Sequence, residues 1–177
     1  MRKKDNARAR LTKKLFREAY FESLKAKGNY ENVTITEVCE RAELNRTTFY
    51  YFYKNCSDLL EKLEDGEIEE MKDIFSSSTE PFSPDNAEKI ADVLERNADL
   101  NTACTNGIIG EGLKNKINDT VREVCLSSWK EPLTKSNSNK AEMISITVSL
   151  AFYELLFSHH GKYTVKDTFA LLSEMLG

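Results

Sequence analysis

Large apolar residues recur three and four positions apart along almost the whole chain, and little interrupts them. Three prolines and seven glycines are all that 177 residues contain. That period places side chains on one face of a helix, whereas a strand needs strict alternation. The fold class expected is therefore all-α. Leu11, Leu15 and Ala19, with Phe16, Tyr20 and Leu24, predict a helix over about 11–26 that ends near Gly28. Thr34-Ile-Thr-Glu37 reads as a capping box, in which each side chain satisfies a free backbone donor of the other residue. Asn45 and Asn55 are good caps for two further helices, the second carrying Leu59, Leu60, Leu63, Ile68 and Met71. Residues 76–84 read as a loop, and Ser83-Pro84 starts a helix over about 85–101. Thr105 to Gly110 breaks it. Leu113, Ile117, Val121, Cys125 and Trp129 mark the next helix, and 130–139 a second loop. A very apolar helix over 140–160 ends at Gly161. Thr164 to Asp167 caps a last helix over 165–176.

Charge is unevenly spread. Residues 1–62 hold 14 Lys/Arg against 9 Asp/Glu, a surplus of five; residues 63–177 hold 11 against 20, a deficit of nine. Such a split suggests two jobs on one chain, whereas the net charge of −4 by itself argues against a nucleic-acid binder. Cys39, Cys56, Cys104 and Cys125 lie far apart and form no C-x-x-C pair, so reduced thiols in the cytoplasm are expected rather than a zinc site. Cys56, at a helix start, has a second reading as a thiol of lowered pKa that senses oxidants. His159 and His160 suit a helix C-terminus. No apolar run approaches the ~18 residues of a membrane span. No nucleophile–base pair, phosphate loop or metal-ligand spacing is visible, so neither enzyme activity nor a metal or cofactor is expected.

The stretch ELNRTTFYYFYKN, 43–55, carries five consecutive aromatic residues beside an arginine and two threonines. A helix from Thr34, a turn at about 42–45 and a helix from Asn45 make a helix-turn-helix. Phe49 and Tyr53, one turn apart, face the core. Tyr50, Tyr51 and Phe52 fall on other faces, where a phenol reaches a phosphate oxygen or a base edge. Arg46, Thr47 and Thr48 occupy the first turn, the part of a recognition helix that points into the major groove. Arginine suits guanine O6 and N7; threonine adds a hydroxyl and a methyl. Arg2, Lys3, Lys4, Arg8 and Arg10 form either a DNA-contacting arm or a solubilising tail.

VTITEVCERAELNRTTFYYFYKNCSDLLEKL, 33–63, resembles the helix-turn-helix of the tetracycline-repressor (TetR) family of bacterial transcription regulators. The features that match are Thr48-Phe49-Tyr50, the core aromatic Tyr53, Lys54 and the pair Leu59-Leu60. LTKKLFREAYFESLKAKG, 11–28, is similar to the family's first helix, and the resemblance covers residues 8–63, about a third of the chain. It implies a DNA-binding domain over 1–57 and a helical effector-binding and dimerisation domain over 58–177, with 58–75 as connecting helix. It also implies a homodimer on a palindromic operator, released as a repressor by a small effector. The DNA-contacting set is then Thr34, Thr36, Asn45, Arg46, Thr47, Thr48, Tyr50, Tyr51 and Lys54.

The 140–160 helix is apolar on more than one face, so it needs a partner beyond its own domain. Ile144, Val148, Phe152, Leu155 and Leu156, with Phe169 and Leu172 of the last helix, are the expected dimer interface. Cys104, Val121, Cys125 and Trp129 are the expected lining of an effector pocket, for a largely hydrophobic ligand. The chain departs from the family pattern at Glu43, where glycine is usual, at Cys56, where lysine often stands, and at Phe52, often histidine. These departures leave open a second class of function, a helical ligand-binding or interaction module with weak or lost operator binding.

Overall fold

The computed structural model describes residues 2–128, 138–158 and 162–176. Among the described residues there are helices and no strands. Helix α1 runs Arg2–Lys27, followed by a 3-10 turn at Tyr30–Asn32. Helices α2 (Ile35–Arg41) and α3 (Arg46–Phe52) are short, and α4 (Cys56–Ser76) is long. Then come α5 (Pro84–Arg96), α6 (Ala98–Thr105), α7 (Gly112–Ser127), α8 (Ser138–Tyr153), a π-helical turn at Glu154–Ser158, and α9 (Val165–Leu176). No described helix is long and apolar enough to cross a membrane.

The caps behave as their residue types require. Thr34 accepts from the Glu37 N–H at 3.3 Å while Glu37 accepts from the Thr34 N–H at 3.2 Å. Asn45, Asn55 and Ser83 accept from the third residue of α3, α4 and α5. Thr164 and Asp167 form the same reciprocal pair before α9.

Several boundaries differ from the expectation. The basic segment expected as an arm or tail belongs to α1, with Arg8 and Arg10 exposed on it. The helix expected over 85–101 is divided at Asn97, whose φ −107 and ψ 22 leave the helical region. Its Nδ2 donates back to the Val93 carbonyl at 3.0 Å and its Oδ1 accepts from Arg17 at 2.7 Å. This side chain competes for backbone partners and terminates α5. Between α6 and α7, Gly107 (φ 68) and Gly110 (φ 72) carry the chain through left-handed backbone that costs glycine little. Trp129, His159, His160 and Gly161 lie outside the described residues.

One core runs through the chain. Phe16 of α1, Phe49 of α3 and Tyr53 form its first part, with Phe16 and Phe49 edge to face at 5.3 Å between ring centres. Phe75, Phe82, Phe152 and Phe169 form its far part, joining α4, α8 and α9. Two polar links tie the first helices to the rest. Arg17 of α1 donates to Asn97 Oδ1 at 2.7 Å and to the Arg96 carbonyl at 3.2 Å. The Tyr30 N–H donates to the Ile108 carbonyl at 3.3 Å.

Val148, Phe152, Phe169 and Leu172 are fully buried within the chain, and Ile144, Leu155 and Leu156 are half-buried. The first four therefore pack the chain's own core, correcting their placement on an outer face. The apolar side chains that point outward are Met143, Ile146 and Leu150 on α8 and Leu171 and Met175 on α9.

Candidate nucleic-acid interface

Helix α3 has seven residues, and its sequence divides them between two environments. Phe49 is fully buried, and Tyr53 at its end is buried too. Arg46, Thr47, Tyr50 and Tyr51 are exposed, Tyr51 at 82% and Tyr50 at 58%. Tyr51 packs edge to face on Phe52 at 4.9 Å, which stiffens an otherwise free ring.

The nine residues expected to meet DNA come together, but they do different work. Three spend their polar atoms locally. Thr34 donates its hydroxyl to Glu37 at 2.8 Å. Asn45 Oδ1 accepts from both the N–H (2.7 Å) and the hydroxyl (2.9 Å) of Thr48. These bonds orient α2 and α3, although Thr34 and Asn45 themselves remain exposed. Thr36 Oγ1 accepts from Arg46 at 2.5 Å, tethering this exposed arginine to α2. Thr47, Tyr50, Tyr51 and Lys54 complete the exposed set.

Two cations beside α3 were not foreseen. Lys62 of α4 donates to the Phe52 carbonyl at 2.8 Å, pairs with Asp58 at 3.0 Å and lies over the Tyr53 ring at 5.4 Å. Lys13 of α1 stands 5.9 Å from the centre of the Phe52 ring. Neither follows from local spacing, because α3 acquires both by tertiary packing. Acidic groups stand nearby as well. Hydrogen bonds from Lys27 and Thr34 hold the Glu37 carboxyl down to about 2, so it is a carboxylate at neutral pH. Glu43 is exposed in the turn before α3.

That turn has defined geometry. The Leu44 N–H donates to the Cys39 carbonyl at 3.0 Å and the Glu43 N–H to the Glu40 carbonyl at 3.2 Å. These two bonds make a Schellman motif, which needs a left-handed residue after the helix cap. Glu43 takes that place with φ 53. A side chain there costs about 1–2 kcal/mol relative to glycine. Glu43→Gly is expected to stabilise the protein by up to about 1 kcal/mol, since glycine's greater freedom when unfolded offsets part of the gain. That corresponds to a rise of about 2–4 °C in thermal melting for a chain of this size. An unchanged or lower melting temperature would show that the turn carries no strain.

Cys56 lies at the start of α4 but is buried, and burial, followed by the charges of Cys39 and Glu37, pushes its thiol up to about 11. A thiol so disfavoured as thiolate is a poor oxidant sensor, which overturns that reading. All four cysteines are buried and unpaired. Among the described residues no group of His, Cys, Asp and Glu is placed to hold a metal.

Of the expected pocket residues, the three that are described are packed rather than open. Val121 and Cys125 are buried in the core, and Cys104 makes a 3.4 Å contact with the Tyr153 hydroxyl. Open grooves lie elsewhere. One of about 320 Å³ runs between α1 and α6, past Phe21, Leu24, Ala98 and Thr102. Another of about 290 Å³ runs between α6 and the π turn, past Leu94, Asn101, Leu156 and Phe157.

No family model, no curated protein and no solved structure matches this chain.

Proposed function

We propose that the chain is a TetR-like transcription regulator: a helix-turn-helix DNA-binding part over 1–57 and a helical effector-binding and dimerisation part over 58–177. The observation that carries this reading is the outer face of α3. Arg46, Thr47, Tyr50 and Tyr51 are exposed together on a helix whose opposite face is anchored by Phe49. Core packing gives no reason for two exposed tyrosines beside an arginine; a major-groove and phosphate contact does. The surplus of basic residues before residue 63 supports the same assignment.

The regulator acts as a homodimer on a palindromic operator, and α8 and α9 supply the two-fold interface through their outward apolar residues. A ligand beside α6 releases DNA by shifting α1, because Arg17 and Tyr30 bond to the segments flanking α6. The ligand must bind one arrangement better than the other for this to work. A module that binds ligand without DNA is the second reading, favoured by the exposed carboxylate of Glu43 close to α3.

Gel shifts with the DNA upstream of the chain's own gene separate the two. Arg46→Ala is expected to cost about 1–3 kcal/mol in operator binding and to relax base preference at one position. Tyr50→Phe should weaken operator and random DNA alike, because a phosphate carries no base identity. If Arg46→Ala weakens both DNAs equally, the arginine does not read bases. If the wild-type chain shifts neither, the second reading stands.

A further inference from the structure

Helix α4 buries the carboxyl of Glu67, which forms no ion pair among the described residues. Glu67 is 1% exposed, and neither of its oxygens has a hydrogen-bond partner among the described residues. Beside it on α6 lies Asn101, 7% exposed. The Asn101 Nδ2 donates to the Leu94 carbonyl at 3.3 Å, while its Oδ1 has no partner among the described residues. The Asn101 amide is the polar neighbour that favours ionised Glu67, yet no hydrogen bond of good geometry joins the two among the described residues. The charge of Arg17 reaches Glu67, yet its guanidinium donates to Asn97 and the Arg96 carbonyl instead. An unpaired buried charge is costly, and the cost is relieved by whatever brings N–H donors and positive charge.

There is a way in. Asn101 forms part of the wall of the groove of about 290 Å³ between α6 and the π turn. The rest of that wall includes Leu94, Leu156 and Phe157, a surface for an apolar body, with Thr102 and Thr105 on α6. A ligand lying there meets Asn101, the residue whose side chain neighbours Glu67.

We propose that Glu67 and Asn101 form the polar end of a binding site for a small organic cation, an amine or amidine carrying an apolar group, entered through this groove. The proposal rests on reading the body of the chain as effector-binding, and it names the chemistry of that effector. The ammonium or amidinium donates to Glu67 and Asn101 Oδ1 in charge-assisted hydrogen bonds, and the apolar part covers Leu94 and Phe157.

The proton is the competing cation. Burial pushes the Glu67 carboxyl up to about 7; the Asn101 amide and Arg17 oppose the rise, and Glu70 and Glu64 add to it. Cys104 of α6 also lies within electrostatic reach of Glu64 and Glu67. A cation therefore binds more tightly as pH climbs toward about 7 and Glu67 loses its proton, then levels off. The stability of the free protein runs the other way. The unfolded carboxyl ionises near its ordinary value of about 4.3, so between there and about 7 the folded state holds more protons. Stability falls across that window as pH rises. Glu67→Gln, which cannot ionise, removes that loss.

The test is calorimetric titration of the full chain with benzamidine and hexylammonium, and with their neutral counterparts benzamide and hexanol. Either cation is expected to bind below about 1 mM, and its neutral counterpart at least about tenfold more weakly. Affinity should rise by about tenfold per pH unit below about 7 and flatten above it. Glu67→Gln should weaken cation binding at least about tenfold while melting higher than wild type at alkaline pH. Equal binding of cation and neutral counterpart overturns the proposal. So does a folded Glu67→Gln variant that binds cations as wild type does, or the failure of both cations to bind below about 1 mM. Gel shifts with the bound cation are scored separately. Binding that leaves DNA affinity unchanged supports the site and removes only its role in the proposed regulation.

Discussion

Phe49→Ala is expected to cost about 3–5 kcal/mol of stability, the usual toll for removing a buried phenylalanine. Phe49 is fully buried and lies against Phe16 at 5.3 Å and Tyr53 at 5.4 Å between ring centres. Those neighbours come from α1 and the segment entering α4, so one ring holds three elements together. Alanine would leave a cavity that α3, with seven residues, is too short to close by itself. Since domains of this kind are held by about 5–15 kcal/mol, the variant should lose much of its margin to urea. Tyr51→Ala is the matched control. Its ring is 82% exposed, so its cost should stay within about 0.5 kcal/mol. Urea melts that move both variants equally would sink this account of the aromatic run. In amide exchange, Phe49→Ala should expose α3 first, because the lost contacts anchor that helix.

Leu150→Asp is expected to turn a dimer into a monomer and to lower operator affinity by about 10²- to 10⁴-fold, the advantage of binding two half-sites together. Met143, Ile146 and Leu150 recur at three- and four-residue spacing, 70%, 39% and 50% exposed, so they form one outward stripe of α8. Leu171 and Met175 of α9, 46% and 48% exposed, are a further pair one turn apart. An aspartate in such a stripe would be buried unpaired on both sides of a two-fold interface, a cost neither copy can relieve. Because Leu150 is not core, circular dichroism should be unchanged. Phe152→Asp is the contrast. That residue is fully buried against Phe75 and Phe169, so its charge should unfold the chain rather than split a dimer. Light scattering that finds wild-type protein monomeric at micromolar concentration would remove the interface, and with it the proposed reading of a palindrome.

The two variants differ by two positions on one helix, and the sequence does not distinguish them. Apolar residues occur around most of α8, so its periodicity marks no single inward face. Which side meets Phe75 and Phe169 depends on where α4 and α9 lie, and that is a tertiary matter. The same holds for Glu67. In EDGEIEE it reads as one more solvated acid on a charged helix, and only packing against distant parts of the chain buries it. Cys56 was open to a reactive reading for the same reason. A helix N-terminus is visible in the sequence, whereas the burial that raises its thiol is not. Asn97 looked like an interior residue of a longer helix until Arg17, eighty positions away, proved to occupy its side-chain oxygen.

By itself the sequence determined the helical class and most of the helix starts. Thr34, Asn45, Asn55, Ser83 and Thr164 each cap the helix that their residue type announces. A cap is closed by a hydrogen bond spanning three residues, so the local chain carries all the information it needs. The left-handed place of Glu43 is not announced by its residue type, since glutamate rarely adopts that backbone; the structure shows it. Only the tertiary structure decided which apolar faces turn inward, which carboxylate is left without a partner, and which lysines stand beside α3. Those outcomes depend on pairs far apart in the chain. Their energies come from burial and desolvation, which no single segment contains.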